Sequence, residues 1–426
     1  MYRIWDLQDF IKELIIMSDY LFPALQKYYS ALNSLERFNK EANFFDNISA
    51  LDSFFSEYRN VTFVLQKSIA HTDYKTIYEK NREEYLSSCR WMIDKRNETT
   101  KEHPFQLVKQ IDILVFFPFA GMHVLSKTFS VENDVKLSDL LDDLKSFFVS
   151  VNPNEIFFSS EFSFYDKTSK EDVYEKIIDG IHSMSCFLKA MYKEVGEHSK
   201  LSDMIIEKIS KLKFSQIPRD MYLINDYVYY PQKNKFERAE RYAMIMHSSD
   251  KRDRVRIPLS NFNRHPLYSK MGDDYFNKFV LMNVVIGTTN LMPTFMIVFS
   301  DSTFELDSFN GGFKTTIYRK VNEVATRIAK EDIVAVYFMM TYTMLPLKEK
   351  YLQMTSKERL ALSNDDVLTF MEVTITLSER ECYFEQTKIQ DRKYIFNQIF
   401  NHASSLNIGK MNMRPIVEAF KAKSIE

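Results

Sequence analysis

The sequence predicts a mainly α N-terminal part, an up-and-down helical bundle with a small β insertion, followed by an α+β domain of ββαββ order. Three observations lead there. Before about residue 215, apolar residues recur at helical spacing in long runs. After it, short runs rich in aromatic and β-branched residues alternate with turn residues. Only 8 Gly and 11 Pro in 426 residues leave few forced breaks, which favours long regular elements. A chain of 426 residues exceeds one usual domain, so the expected division is 1–215 and 216–426.

In the first part, Phe10, Leu14, Met17, Leu21, Leu25, Tyr29 and Leu32 keep a helical period, with a kink or break near Leu21 imposed by Pro23. A second run from Asp46 to about Ala70 sets Leu51, Phe54, Phe55, Tyr58, Val61, Leu65 and Ile69 on one face, and Arg59, Thr62 and Gln66 on another. A third runs from Tyr74 to about Thr100, with Tyr78, Tyr85, Leu86, Cys89, Met92 and Ile93 as its apolar face. The β excursion, about 107–165, holds strands at Ile111–Phe119 and Glu155–Tyr165 around an acidic amphipathic segment, Leu137–Phe148. Ser169 and Asp172 read as the capping signal of a helix that ends at Gly196. A shorter helix follows from Ser202 to about Leu212.

The second part begins with a Tyr- and Val-rich strand, Tyr222–Tyr230. A hairpin follows, Pro293–Phe299 and Thr303–Ser308, then a helix from about Thr315 to Ala329. Strands at Ile333–Met344 and Val367–Leu377 come next, the latter turning into Glu381–Gln386. Tyr394–Leu406 and Pro415–Lys423 read as helices. No repeat or low-complexity tract interrupts this order.

Charge is balanced, 56 Lys plus Arg against 58 Asp plus Glu, so nucleic-acid contact has to be local. Cys89, Cys186 and Cys382 lie far apart, which suits a reducing, cytoplasmic setting and argues against a disulfide framework or zinc module. The N-terminus lacks a signal-peptide core. Three apolar runs, Ile113–Leu125, Phe279–Ser300 and Ile333–Leu347, are each too short or too polar to span a membrane. No metal-ligand spacing is present, and neither a metal nor another cofactor is expected.

The stretch with chemical content is Trp91–Phe105, where Arg96 and Asn97 precede His103. Pro104 disfavours helical angles at His103, so the helix should end near Thr100–Glu102 and leave His103 at its end. Such residues suit RNA cleavage by internal transesterification. The His titrates near neutrality and can move the 2′-OH proton, while the Arg fork meets the non-bridging oxygens of the pentacoordinate phosphorus. Asn97 can orient the pair, and Lys101 and Arg59 can contact phosphate. The ordinary alternative is that Lys95, Arg96, Lys101 and His103 merely complement the helix dipole. Spacing alone decides little, because Arg241 and His247, with five residues between them, give nearly the same spacing.

Arg96-Asn97 with His103 at the end of a third long helix resembles the Arg-x(4–6)-His signature of the HEPN superfamily (higher eukaryotes and prokaryotes nucleotide-binding). The segment Phe54–Gln66, followed by Trp91, Asp94, Arg96, Asn97, Lys101 and Glu102, is similar to a group of bacterial HEPN-like proteins, over roughly residues 40–200. The resemblance implies a helical bundle and a homodimer that brings two motifs together. It also implies metal-independent ribonuclease activity in toxin or phage-defence settings, with RNA as partner. A protein or small-molecule trigger would then act on residues 216–426. The rival expectation is a non-catalytic dimerisation, ligand-binding or scaffold protein.

Secondary candidates carry ordinary readings beside functional ones. Glu57 and Arg59 can serve the site or form an ion pair within the bundle. His71 ends a helix, and His182 suits a core boundary. Lys251, Arg252, Arg254 and Arg256, near Arg264 and His265, either touch phosphate or guard a sheet edge. Asp301, Asp307 and Gly311-Gly312 are explained by hairpin turns.

Overall fold

The computed structural model describes residues 19–40, 42–117, 123–131, 139–143, 145, 154–196, 199–212, 214, 223–239, 243–245, 255–286, 292–310, 313–343, 349–352, 354–362, 366–390, 393–398 and 408–425. It is a mixed α+β fold with two antiparallel sheets. The chain divides into two interleaved units: Met1–Ile111, Thr128–Asp142 and Glu161–Ile224 form the first, Asp112–Lys127, Asp143–Ser160 and Asn225–Glu426 the second.

The first unit begins with α1 (Phe22–Ser34), α2 (Phe44–Ser68), α3 (Tyr74–Leu86) and α4 (Arg90–Lys101). After strands β1 (Leu107–Phe117), β2 (His123–Val131) and β3 (Ile156–Asp166) come α5 (Val173–Val195) and α6 (Lys200–Ser210). Pro23 stands in the first turn of α1, where its missing N–H costs nothing, so it starts this helix. Asn43 caps α2 by accepting from the N–H groups of Phe45 and Asp46.

The run from Tyr74 to Thr100 is two helices, not one: it breaks across Ser87, Ser88 and Cys89. Serines compete for the backbone and so weaken a helix interior. The cap of α5 is also shifted from the expected one. Asp172 accepts from the Glu175 N–H, while Ser169 Oγ donates to Asp166 Oδ2 at 2.6 Å.

The apolar stripes of α1, α2 and α5 bury Leu25, Leu32, Phe54, Phe55, Leu65, Ile177, Ile181 and Phe187. Tyrosine hydroxyls tie the helices together at their backbones. Tyr28 donates to the Ile181 carbonyl, Tyr58 to that of Gly180 at 2.9 Å, and Tyr78 to that of Thr62 at 3.1 Å. Gly180 lets the Met92 side chain come close, since a Cβ there would stand 2.0 Å from Met92 Cε and the methionine would have to shift. That close approach seats α4 on α5.

One sheet has the order β2-β1-β3-β4-β5, with β4 at Ile224–Tyr230 and β5 at Lys235–Arg238. The division between units falls inside β1 and β3.

The second unit carries the larger sheet, β13-β12-β11-β10-β8-β9-β6, with the two-residue β7 (Ile257–Pro258) on β9. Its strands are β6 (Ala243–Ile245), β8 (Thr294–Phe299), β9 (Thr303–Phe309), β10 (Ile333–Thr343), β11 (Asp366–Thr374), β12 (Glu379–Gln390) and β13 (Lys393–Gln398). The helices are α7 (Tyr275–Ile286), α8 (Lys314–Ile328) and α9 (Ile408–Lys423). Phe295, Ile297 and Phe299 of β8 join one core with Ile317, Val321 and Ile328 of α8 and Ile416 and Phe420 of α9. The alternate residues Met296 and Val298 join another core with Phe276, Phe279 and Val280 of α7. Helices on both faces explain why β8 is buried at every position and apolar from Phe295 to Phe299 rather than alternating.

One expectation fails here. The start of the expected helix Tyr394–Leu406 is a strand: Lys393–Gln398 pairs antiparallel with β12, from Gln390↔Lys393 to Phe384↔Gln398, and 399–406 lie outside the described residues. A short apolar run has no period of its own to choose, and the open edge of β12 decided it. Of the basic run, Lys251, Arg252 and Arg254 lie outside the described residues, as do Gly311, Gly312, Arg241 and His247. Among the described residues, no helix is long and apolar enough to cross a membrane.

Candidate functional site

Helix α4 ends as Pro104 requires. The N–H groups of Glu102 and His103 both reach the Glu98 carbonyl, at 2.9 and 3.2 Å, and the chain then leaves the helix. Phe105 anchors the exit. Its N–H donates to Asp52 Oδ1 at 3.0 Å, and its ring stacks on Phe55 at 5.4 Å between centroids. Trp91 completes the aromatic cluster, edge-on to Phe55 and to Phe105. With Phe105 only 1% exposed, the end of α4 is fixed by an aromatic plug.

Of the expected site residues, Arg96 and Asn97 are joined. Arg96 Nη1 donates to Asn97 Oδ1 at 3.2 Å, whereas Arg96 Nε is buried without a hydrogen-bond partner. His103 stays at the surface, its side chain 38% exposed. Its Nε2 lies 3.7 Å from Glu98 Oε1 and its Nδ1 is 3.0 Å from the Pro104 carbonyl. No hydrogen bond links Arg96 to His103 among the described residues. Lys101 is exposed on the last turn of α4.

Arg59 lies apart from them. It donates to Thr62 Oγ1 at 2.8 Å and lines a pocket at the start of α4. Glu57 pairs with Lys27 at 3.0 Å, the ion pair within the bundle that was weighed for it. His182 Nε2 sits 3.6 Å from Cys186 Sγ on the same helix. Arg256 faces Glu305 and Asp301 at 3.6 and 3.7 Å and lies over the Phe299 ring.

Three carboxylates and a lysine around the motif escaped the sequence reading. Lys95, only 4% exposed, bonds Asp166 and Glu98, each at 2.6 Å. Burial works against its charge, yet the two carboxylates outweigh that and hold the ammonium above its usual range. Burial likewise pushes the Asp166 carboxyl up, but the bonds from Lys95, Ser169 and the Thr168 N–H outweigh it and hold the carboxyl below its usual range. Asp52 shows the reverse balance. Burial pushes its carboxyl up, more than the Phe105 N–H and the His103 ring lower it.

A chain of charge thus runs Asp166–Lys95–Glu98–His103, from a residue with no exposure to one at the surface. One signal was available. Lys95 stands three residues after Met92 on the buried side of α4, and a buried ammonium demands carboxylates. Nothing in the sequence says that Asp166, at the end of β3, is one of them.

Chemically, the arrangement presents an imidazole held by the Pro104 carbonyl with Glu98 3.7 Å away, and a guanidinium whose buried Nε makes no hydrogen bond among the described residues. Among the described residues, no group of three or more His, Cys, Asp and Glu side chains is placed to hold a metal ion. Comparison with protein-family models, curated proteins and solved structures finds no match to this chain.

Proposed function

We propose that the chain is a metal-independent endoribonuclease of the HEPN kind, cleaving RNA by attack of a 2′-OH on the adjacent phosphorus. The observation that supports the reading is that one helix end carries both required groups: a surface imidazole 3.7 Å from a carboxylate, and a guanidinium whose Nε has no hydrogen-bond partner among the described residues. In this reading His103 moves protons, Arg96 meets the phosphorane oxygens, Asn97 orients Arg96, and Lys101 contacts the RNA backbone. A homodimer brings two such helix ends together, which would give Arg96 the partner it lacks. Arg59, on the pocket, is left out of the catalytic set.

The first part is then the up-and-down HEPN-like bundle. The later ββαββ part restrains it until a protein or small-molecule trigger acts, in a cytoplasmic toxin or phage-defence setting.

A second reading rests on the same contacts. His103 is already engaged by Glu98 and Pro104, and Lys95 and Asp166 brace the helix, as suits a non-catalytic dimerisation or scaffold module.

Purified protein incubated with total RNA in chelator separates the two. The nuclease yields fragments with 2′,3′-cyclic phosphate ends, and Arg96→Ala and His103→Ala each lower the rate by about 10²–10⁴. Cleavage that both substitutions leave intact would sink the site, and absence of cleavage with a stable dimer favours the scaffold.

A further inference from the structure

The corner where α3 breaks into α4 encloses a pocket of about 450 Å³, in the range of small-molecule sites. Its existence follows from the break at Ser87–Cys89, which turns α4 away from α3 and leaves a hollow over α2 and α5. The apolar part of the lining comes from Tyr58, Cys89, Met92 and Met184. Burial pushes the Tyr58 hydroxyl well up, and its proton is committed to the Gly180 carbonyl, so that part carries no charge.

Polar lining comes from Arg59, Arg82 and Arg90, with Glu79 and Glu83. Arg82 and Arg59 both belong to this lining, and the Tyr78 hydroxyl, pushed up by burial, feels the positive charge of both. Arg82 makes no hydrogen bond or ion pair among the described residues. Arg59 bonds only the Thr62 hydroxyl, and the carboxylate nearest Arg90 is the exposed Asp94 at 3.7 Å. Three guanidiniums against two carboxylates leave the lining of this partly apolar hollow with an excess of positive charge, which is complementary to an anion with an apolar body.

We propose that this pocket binds a small aromatic oxyanion, its ring against Leu86 and Ile93, which also line the hollow, and its phosphate or carboxylate on Arg59, Arg82 and Arg90. Guanidinium forks fit both oxyanions. The pocket and its occupant are independent of the nuclease reading: binding is measured without RNA.

The test is calorimetric titration of the full chain with 1-naphthyl phosphate and 1-naphthoate, beside neutral 1-naphthol and inorganic phosphate. One anion per chain is expected, and the tighter of the two names the natural headgroup. Naphthol and inorganic phosphate each bind at least about tenfold more weakly, since each lacks one half of the recognition. Arg82→Glu, at an exposed position that leaves the core alone, weakens both anions by about ten- to a hundred-fold with unchanged circular dichroism. The proposal is overturned by naphthol binding as tightly as the anions, by Arg82→Glu binding them normally, or by neither anion binding at millimolar concentration.

Discussion

Beneath α8, in the second unit, Arg319 reaches Asp226 at 3.0 Å and Lys320 reaches Asp307 at 3.2 Å, with all four residues at most 4% exposed. Ser159 Oγ adds a bond to Asp226 at 2.6 Å, and Arg327 closes on Glu305 and Glu331. In the first unit Lys95 and Asp166 are buried as deeply, and their contacts lead outward through Glu98 to a half-exposed histidine. The α8 pairs also reach the surface, at Glu323, whose side chain is 32% exposed. What differs is the outer group: Glu323 only adds another carboxylate to the ion pairs, whereas an imidazole is the side chain suited to moving protons near neutral pH. That difference makes α4, rather than the more heavily charged α8, the better candidate for chemistry.

The comparison can be broken at either end. Asp226→Ala takes from the buried Arg319 the carboxylate that both its Nε and Nη2 bond, and about 3–5 kcal/mol of stability should be lost in urea denaturation. Asp166→Ala should cost less, about 2 kcal/mol, because Glu98 still holds Lys95. Equal losses would mean that Glu98 contributes nothing.

The pH dependence carries a definite sign. Asp166 is held below its unfolded value, so its stabilisation is complete above that value, about 4, and fades as pH falls through the lower folded one. Asp166→Asn should therefore flatten the acid limb of the first unit's stability curve, followed by Trp91 fluorescence. Glu98→Gln keeps a hydrogen-bonding group for Lys95 and should cost about 1 kcal/mol by thermal melting. The smallest effect belongs to Asp52→Asn. Its oxygen still accepts from the Phe105 N–H, and the buried charge disappears, so stability should change by no more than about 0.5 kcal/mol. A larger loss would show that the Asp52 charge is held by His103 more firmly than burial opposes it.

Where the sequence was legible, a local rule was strong enough to act alone. The 3.6-residue period of Leu51, Phe54, Phe55, Tyr58 and Val61 placed α2, and the Asp301 turn placed the β8–β9 hairpin. Pro104 placed the end of α4, and with it His103 at the surface. Reading failed where two local choices were nearly equal. Ser87 and Ser88 left continuation and break undecided until Cys89 was buried, and Tyr394–Phe396 suited either a helix or a strand until β12 offered an edge.

The site divides in the same way. By itself the sequence determined that Arg96, Asn97 and His103 share one helix end, because seven residues and a proline fix that much along the chain. Tertiary structure alone decided that Asp166 meets Lys95 across 71 residues, that Asp52 fastens Phe105, and that Arg59 belongs to the pocket rather than to the motif. The reason is physical. Spacing along a helix constrains direction only within that helix, whereas a buried charge is paired by whichever carboxylate the packing of other elements brings within reach.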